Sequence, residues 1–245
     1  MPLIILHGLY GSISNWRSVA KELSKDFSVY CLDLRNHGDS PWHQVMDYQS
    51  MARDVAHFIQ ARKMNKFALM GHSMGGKVAM SLAQLNLVDI QKMIVVDIAP
   101  VTYPADQRQS HEKYLGAMQQ VAALKVSTRQ EADLILQEYV PEIGLRLFLL
   151  QNLRKTDTGY EWRINIESIK DNISNIMAYS TWGQSDVPTL FLRGGHSEYV
   201  LDEYANDISQ FFSNWSIQTI PEAGHWLHAE YPESFVDNVR AFLSP

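Results

Sequence analysis

A serine between glycines, a histidine late in the chain and carboxylates at strand ends are the residue types that can carry acyl transfer. Gly71-His72-Ser73-Met74-Gly75 has the G-x-S-x-G spacing. An apolar run, Lys66 to Met70, precedes it and a helical pattern, Lys77 to Leu85, follows. That is the strand–turn–helix context the motif requires. So sharp a turn forces the serine into an unfavourable backbone conformation, and side chains in place of the glycines would collide with neighbouring elements. The turn presents the Ser73 hydroxyl at the edge of a sheet. A hydroxyl is a weak nucleophile and needs a base. His225, in Pro221-Glu222-Ala223-Gly224-His225-Trp226, follows the last predicted strand and therefore stands on a loop at the same edge. It can take the serine proton and return it to the leaving group. His228, three residues on, reads as structural. The tetrahedral intermediate needs two backbone donors. They are expected from Met74, directly after the serine, and from Leu9 in the His7-Gly8-Leu9 loop after the first strand.

The orienting acid has two candidates. Asp97 ends the strand after the helix that follows Ser73, and Glu198 follows the next sheet strand. Either place can reach the far nitrogen of His225. Asp33, His37 and Asp39 form a D-x-x-x-H-x-D trio that could in principle hold a metal, but His225-x-x-His228 lacks the H-E-x-x-H arrangement. No metal ligand is assigned.

These residues need a scaffold that brings strand ends together. Short apolar runs at Leu3–Leu6, 27–32, 66–70, 92–96, 187–192 and 216–220 alternate with amphipathic segments such as Tyr48–Arg62 and Pro232–Leu243. Short strands buried on both faces and alternating with helices predict a parallel α/β sheet of about six strands. The chain starts almost on the strand carrying His7-Gly8, so one sheet edge is expected to be less protected. Val29-Tyr30-Cys31-Leu32 reads as a buried strand, with the cysteine as core filler. Ser14 reads as the cap of the first helix. Between about residues 101 and 185 the periodicity is helical, with no convincing strand and no linker-like composition. The expected organisation is a core of 1–100 and 186–245 and a helical cap of 101–185. Met118, Leu124, Leu134, Phe148, Leu149, Met177, Tyr179 and Trp182 are its apolar side chains, and a subset of them, with Tyr10, could line an acyl site.

Composition excludes other classes. The chain has 245 residues, 46% hydrophobic and 11% aromatic, which is too apolar for a disordered chain. A net charge of −6 without a basic run argues against nucleic acid. One cysteine forms neither an intrachain disulfide nor a multi-cysteine zinc site. No run approaches the length of a membrane span and no signal-peptide pattern opens the chain. A cytoplasmic monomer or homodimer acting on a small molecule, without membrane partner, is the expectation.

The order Leu6-His7-Gly8, Asp33 to Ser40, the serine turn and Gly224-His225 resembles the α/β-hydrolase family. More narrowly, His7 to Ser12 with Asn15-Trp16, Val96-Asp97-Ile98-Ala99-Pro100 and Gly194-Gly195-His196-Ser197 resemble the small YbfF-type bacterial esterases. The resemblance runs from near residue 3 to near 243, leaving the cap without a motif. It implies an α/β-hydrolase fold with a helical cap and a cofactor-free serine hydrolase of acyl esters or thioesters. It favours Asp97 over Glu198 as the acid, and it implies that Asp33 and Arg35 fix turns. Carbon–carbon bond hydrolysis, cofactor-free perhydrolysis and a ligand-binding receptor on the same fold remain the alternatives, since fold alone does not give function.

Overall fold

The computed structural model describes residues 1–157, 159–180 and 183–244. Trp182 lies outside them. In chain order the elements are β1 (Pro2–Leu6), a 3-10 turn (Ile13–Trp16), α1 (Arg17–Leu23), β2 (Ser28–Leu32), α2 (Tyr48–Ala61), β3 (Phe67–His72), α3 (Met74–Leu85) and β4 (Ile90–Val96). There follow α4 (Ala105–Ala123), α5 (Arg129–Gln137), α6 (Ile143–Leu150), β5 (Leu153–Thr156), β6 (Gly159–Trp162), α7 (Ile166–Asp171) and α8 (Ile173–Met177). The chain closes with β7 (Thr189–Gly194), a 3-10 turn (Asp202–Tyr204), α9 (Ala205–Phe211), β8 (Trp215–Ile220), α10 (Leu227–Glu230) and α11 (Pro232–Leu243).

Two compact units result. The first contains Met1–Leu32, Tyr48–Val101 and Tyr179–Pro245. Its sheet has six strands in the order β2-β1-β3-β4-β7-β8, every neighbouring pair parallel. Parallel pairing requires a crossover for each strand, and the helices between strands provide it. The sheet's centre is shielded from solvent: every residue of β3 is buried, as are Met93–Val96 of β4. One side of the sheet is sealed by Leu3, Ile5, Met70, Ile94 and Leu192 packed with Trp16, Leu23, Phe235 and Val239 from the first and last helical segments. This is the α/β-hydrolase fold.

Register brings the working ends of the strands level. Leu6 pairs with Leu32 and Gly71, His72 with Val96, Val96 with Leu192, and Gly194 with Ile220. The residues just beyond those pairs are therefore gathered along the carboxyl edge of one sheet, where open α/β sheets bind ligands.

The second unit contains Asp33–Asp47 and Thr102–Ala178. It includes the loop after β2, which the sequence division at 101 and 185 leaves in the core, while residues 179–185 belong to the first unit. It is also not wholly helical. β5 and β6 form an antiparallel hairpin, against the expectation of no strand there. Only Leu153 and Trp162 in it are buried, so no period-two apolar signal exists to read. Within the stretch read as helical, α7 and α8 are separate helices, broken at Asn172. That side chain donates to Gln44 O at 2.8 Å and accepts from the Met46 N–H at 3.2 Å.

Two more expectations need correction. Cys31 is half-buried, because β2 is the sheet's edge strand with a neighbour on one side only. The first helical segment starts two residues early: Ser12, not Ser14, is its cap, and its N–H donates to Asn15 Oδ1 at 2.7 Å.

Candidate active site

Ser73 sits between β3 and α3 at φ 52°, ψ −119°. A non-glycine residue there is strained by roughly 1–3 kcal/mol and persists only where its surroundings enforce it. They do. The Ser73 N–H donates to Val96 O at 2.9 Å, and Ser73 O accepts from Gly76 and Lys77 at 2.8 and 3.1 Å. The elbow packs so closely on β1 that a Cβ at Gly75 would lie 2.5 Å from Leu6 O and 2.6 Å from His7 O. The glycine is therefore a steric requirement, as the motif implied.

Asp97 directly follows β4, also at positive φ (50°), with its N–H on Leu192 O at 2.9 Å. It is completely buried. Its Oδ1 accepts from the Gly194 N–H at 3.0 Å, and its Oδ2 accepts from the Ser197 hydroxyl and from His225 Nδ1, the latter at 2.7 Å. A carboxylate with three donors is satisfied although buried. Because Nδ1 keeps its proton and donates it in a hydrogen bond to the carboxylate, Nε2 of a neutral His225 is left as the acceptor. The His225 side chain keeps 19% of its surface exposed. Glu198, the other acid candidate, is exposed.

The loop after β1 is set by one peptide. Gly8 O accepts from Gly11 N–H at 2.9 Å and from His7 Nδ1 at 2.8 Å. A trans peptide is planar, with C=O and N–H on opposite sides. Two donors on Gly8 O thus aim the Leu9 N–H the other way. A Cβ at Gly8 would lie 3.2 Å from Ser73 Cβ, so this loop runs directly against the serine. Met74 opens α3, and the first N–H groups of a helix lack intrahelical acceptors. Tyr10, with φ 61°, is buried beside this loop.

Three further histidines are kept neutral by burial. It lowers His7 to about 4 and His228 to about 3. His72 falls well below its ordinary value through burial first and the charge of His225 second. His228 stacks flat on Trp16 at 4.3 Å.

The structure thus brings together Ser73, Asp97, His225 and the Gly8–Leu9 peptide, and leaves Glu198 apart. It adds two contacts to which sequence reasoning gave no role. Ser197 donates to Asp97, and the Tyr199 ring stacks on His225 at 4.2 Å. The signal was alternation: 197 and 199 face inward while 198 faces solvent. Asp33, His37 and Asp39 are engaged in the loop of the second unit. Asp33 accepts from the Asp39 N–H at 3.0 Å, His37 Nδ1 contacts Arg35 O at 3.0 Å, and Asp39 pairs with Arg163 at 2.8 Å. No metal-binding group of side chains occurs among the described residues, and none of their helices is long and apolar enough to cross a membrane. Of the apolar side chains from 101–185, Met118, Leu149 and Met177 are buried, whereas Leu124 and Leu134 are exposed.

Comparison with known proteins agrees with this geometry. Residues 1–232 match the α/β-hydrolase fold family. The chain is 35% identical to Esterase YbfF of Escherichia coli, over 99% of this chain and 93% of that protein. It is 39% identical to the sn-1-specific diacylglycerol lipase ABHD11 of Danio rerio, over 100% of this chain and 78% of that protein. A solved structure described as a marine microorganism esterase superposes with a TM-score of 0.94 at 42% identity, covering 99% of this chain and 95% of that one. A parallel sheet with a strained serine elbow, a buried acid–histidine pair and relatives of this kind leave one assignment: the chain belongs to the α/β-hydrolase family and is a hydrolase enzyme.

Proposed function

We propose that the enzyme is a serine esterase acting on small acyl esters or thioesters through an acyl-serine intermediate. Ser73 Oγ attacks the carbonyl carbon as its proton passes to His225 Nε2. Asp97 holds the imidazole in the required tautomer and balances the imidazolium. The N–H groups of Leu9 and Met74 receive the oxyanion. On collapse, the bond to the leaving group breaks and His225 protonates the departing alcohol or thiol. Water, giving its proton to His225, then attacks the acyl-Ser73. The acid leaves, and the proton returns to Ser73.

The observation that carries this reading is the 2.7 Å contact between buried Asp97 and His225 Nδ1. It fixes which imidazole nitrogen faces away from the acid, and it lies one strand from a serine held in a strained turn. The block between β4 and β7 takes the part of the cap in this reading, and a cytoplasmic setting accords with one cysteine in 245 residues. The test is direct. A fluorophosphonate should label Ser73, located by mass spectrometry, and p-nitrophenyl acyl ester turnover should vanish in Ser73→Ala. An unlabelled protein without ester turnover refutes the reading.

A further inference from the structure

His72 stands in the variable position of the G-x-S-x-G motif, yet it is 4% exposed and packed on all sides. Its Nε2 lies 2.8 Å from the main-chain oxygen of His225, 153 residues away in sequence. A carbonyl oxygen only accepts, so Nε2 carries the proton and donates. The ring lies 4.6 Å from the His225 ring and 4.8 Å, edge-on, from that of His228. Its other nitrogen faces Gly8, where a Cβ would come within 2.9 Å of Nδ1. One side chain therefore adjoins the serine, the base and the oxyanion loop.

The two sides of this contact are held differently, one by a strand ladder and one by the hydrogen bonds of a loop. His72 is the last residue of β3, paired to β4 through Val96, with β1 on the strand's other side. His225 sits on a loop beyond β8. That loop is held near its start by Ala223 N–H on Ile220 O at 3.2 Å and by Gly224 N–H on Glu230 Oε2 at 2.6 Å. We propose that His72 is a positioning residue: its Nε2–H grips the His225 carbonyl and fixes the base's main chain to the strand end that bears the serine. The proposal rests on the esterase reading above for its consequence, but not for its geometry. Burial and the neighbouring His225 keep the His72 ring neutral, so the grip involves no charge that titrates with the base.

Misplacing a catalytic group by about 1 Å costs roughly a hundredfold in rate. The informative comparison is His72→Gln with His72→Asn. Glutamine carries an amide N–H at the same bond count from Cα as His Nε2; asparagine falls one bond short. The expected result on a p-nitrophenyl ester is kcat lowered roughly ten- to a hundredfold in His72→Asn with KM within about twofold. His72→Gln should recover most of the loss, and both should still fold by circular dichroism. Should His72→Asn fail to fold, His72→Phe, which keeps the ring and removes the donor, takes its place. Equal kcat in His72→Gln and His72→Asn, or in His72→Gln and His72→Phe where phenylalanine takes asparagine's place, overturns the proposal. A second readout needs no activity: ¹⁵N spectra of the wild-type enzyme should show His72 protonated on Nε2. Protonation on Nδ1 overturns the proposal even if turnover behaves as expected. A wild-type protein without ester turnover or fluorophosphonate labelling instead refutes the esterase reading, leaving the tautomer result to decide His72.

Discussion

Replacing Asp97 by asparagine tests the acid assignment with minimal change of shape. In the native site Oδ1 takes the Gly194 N–H at 3.0 Å, while Oδ2 takes the Ser197 hydroxyl and His225 Nδ1 at 2.7 Å. An amide has one oxygen. With that oxygen on Gly194, the NH₂ faces His225 and drives its proton to Nε2, where it can no longer accept from Ser73. Rotating the amide restores the tautomer but sets two N–H donors against each other in a completely buried pocket. A buried donor left without an acceptor costs about 1–3 kcal/mol. Either way the enzyme also loses the negative charge that stabilises the imidazolium. In serine triads this substitution lowers kcat by roughly 10⁴, or about 5 kcal/mol at 1.36 kcal/mol per tenfold. The expected result for Asp97→Asn is therefore a loss of about three to four orders of magnitude in kcat on a p-nitrophenyl ester, with KM nearly unchanged. Glu198→Gln, at an exposed position, should stay within about twofold of wild type, as surface changes usually do. The reasoning fails if Asp97→Asn retains more than a tenth of the activity, or if Glu198→Gln produces the large loss.

Three other outcomes follow from the same contacts. Gly75→Ala places a Cβ 2.5 Å from Leu6 O, so β1 must separate from the elbow. A destabilisation of about 3 kcal/mol or more is expected in chemical denaturation, and a fully stable variant would contradict the close approach. His7→Leu removes one of the two donors on Gly8 O and loosens the Leu9 N–H. kcat should fall roughly tenfold, somewhat less than deleting an oxyanion donor outright, while His7→Asn, which keeps a donor near Nδ1, should stay closer to wild type. His7 and His228 have folded values of about 4 and about 3, lowered by burial from an ordinary 6.5. Between those values and 6.5 the unfolded chain binds more protons than the folded one, so stability is present above 6.5 and is lost on acidification. The slope is about 1.4 kcal/mol per pH unit for each such histidine. Urea midpoints between pH 4.5 and 7 should show it, and His228→Phe, which preserves the stack on Trp16, should remove about one proton's share. A flat profile would count against buried neutral histidines.

Much of the core was legible because its signals are local. The apolar runs Leu3–Leu6 of β1, Phe67–Met70 of β3 and Met93–Val96 of β4 are unbroken, and α11 begins at its N-terminal proline and ends at Leu243 as its periodicity predicts. Ser73 and His225 are marked by turn residues whose spacing follows from steric demand. Elements stabilised by contacts distant in sequence were not legible. β5 and β6 bury one side chain each. The attachment of Asp33–Asp47 to the second unit depends on such pairs as Ser168 Oγ with His43 O at 2.6 Å and Asn165 N–H with Asn36 O at 2.9 Å. The acid was open for the same reason. Two strand ends offered carboxylates, and only the pairing of β4 with β7 determines which one turns inward.

That pairing makes a further prediction about where the acid can stand. Ser197, on the loop after β7, already donates to the Asp97 oxygen that binds His225. An aspartate at 197 extends one atom beyond the serine oxygen and so carries its carboxylate into the space Oδ2 now fills. Removing the Asp97 side chain makes room for it. Glycine suits position 97 best, since its φ of 50° is strained for any other residue. Asp97→Gly alone should be as impaired as Asp97→Asn, while Asp97→Gly with Ser197→Asp should recover at least roughly tenfold in kcat by restoring an acceptor for Nδ1–H. Pairing Asp97→Gly with Tyr199→Asp is the control. Its carboxylate starts from the position whose ring stacks on the imidazole face, not from one that meets Nδ1 in the ring plane. If the two double variants recover equally, proximity of charge and not the directed hydrogen bond is what His225 needs, and the role given to the 2.7 Å contact is wrong.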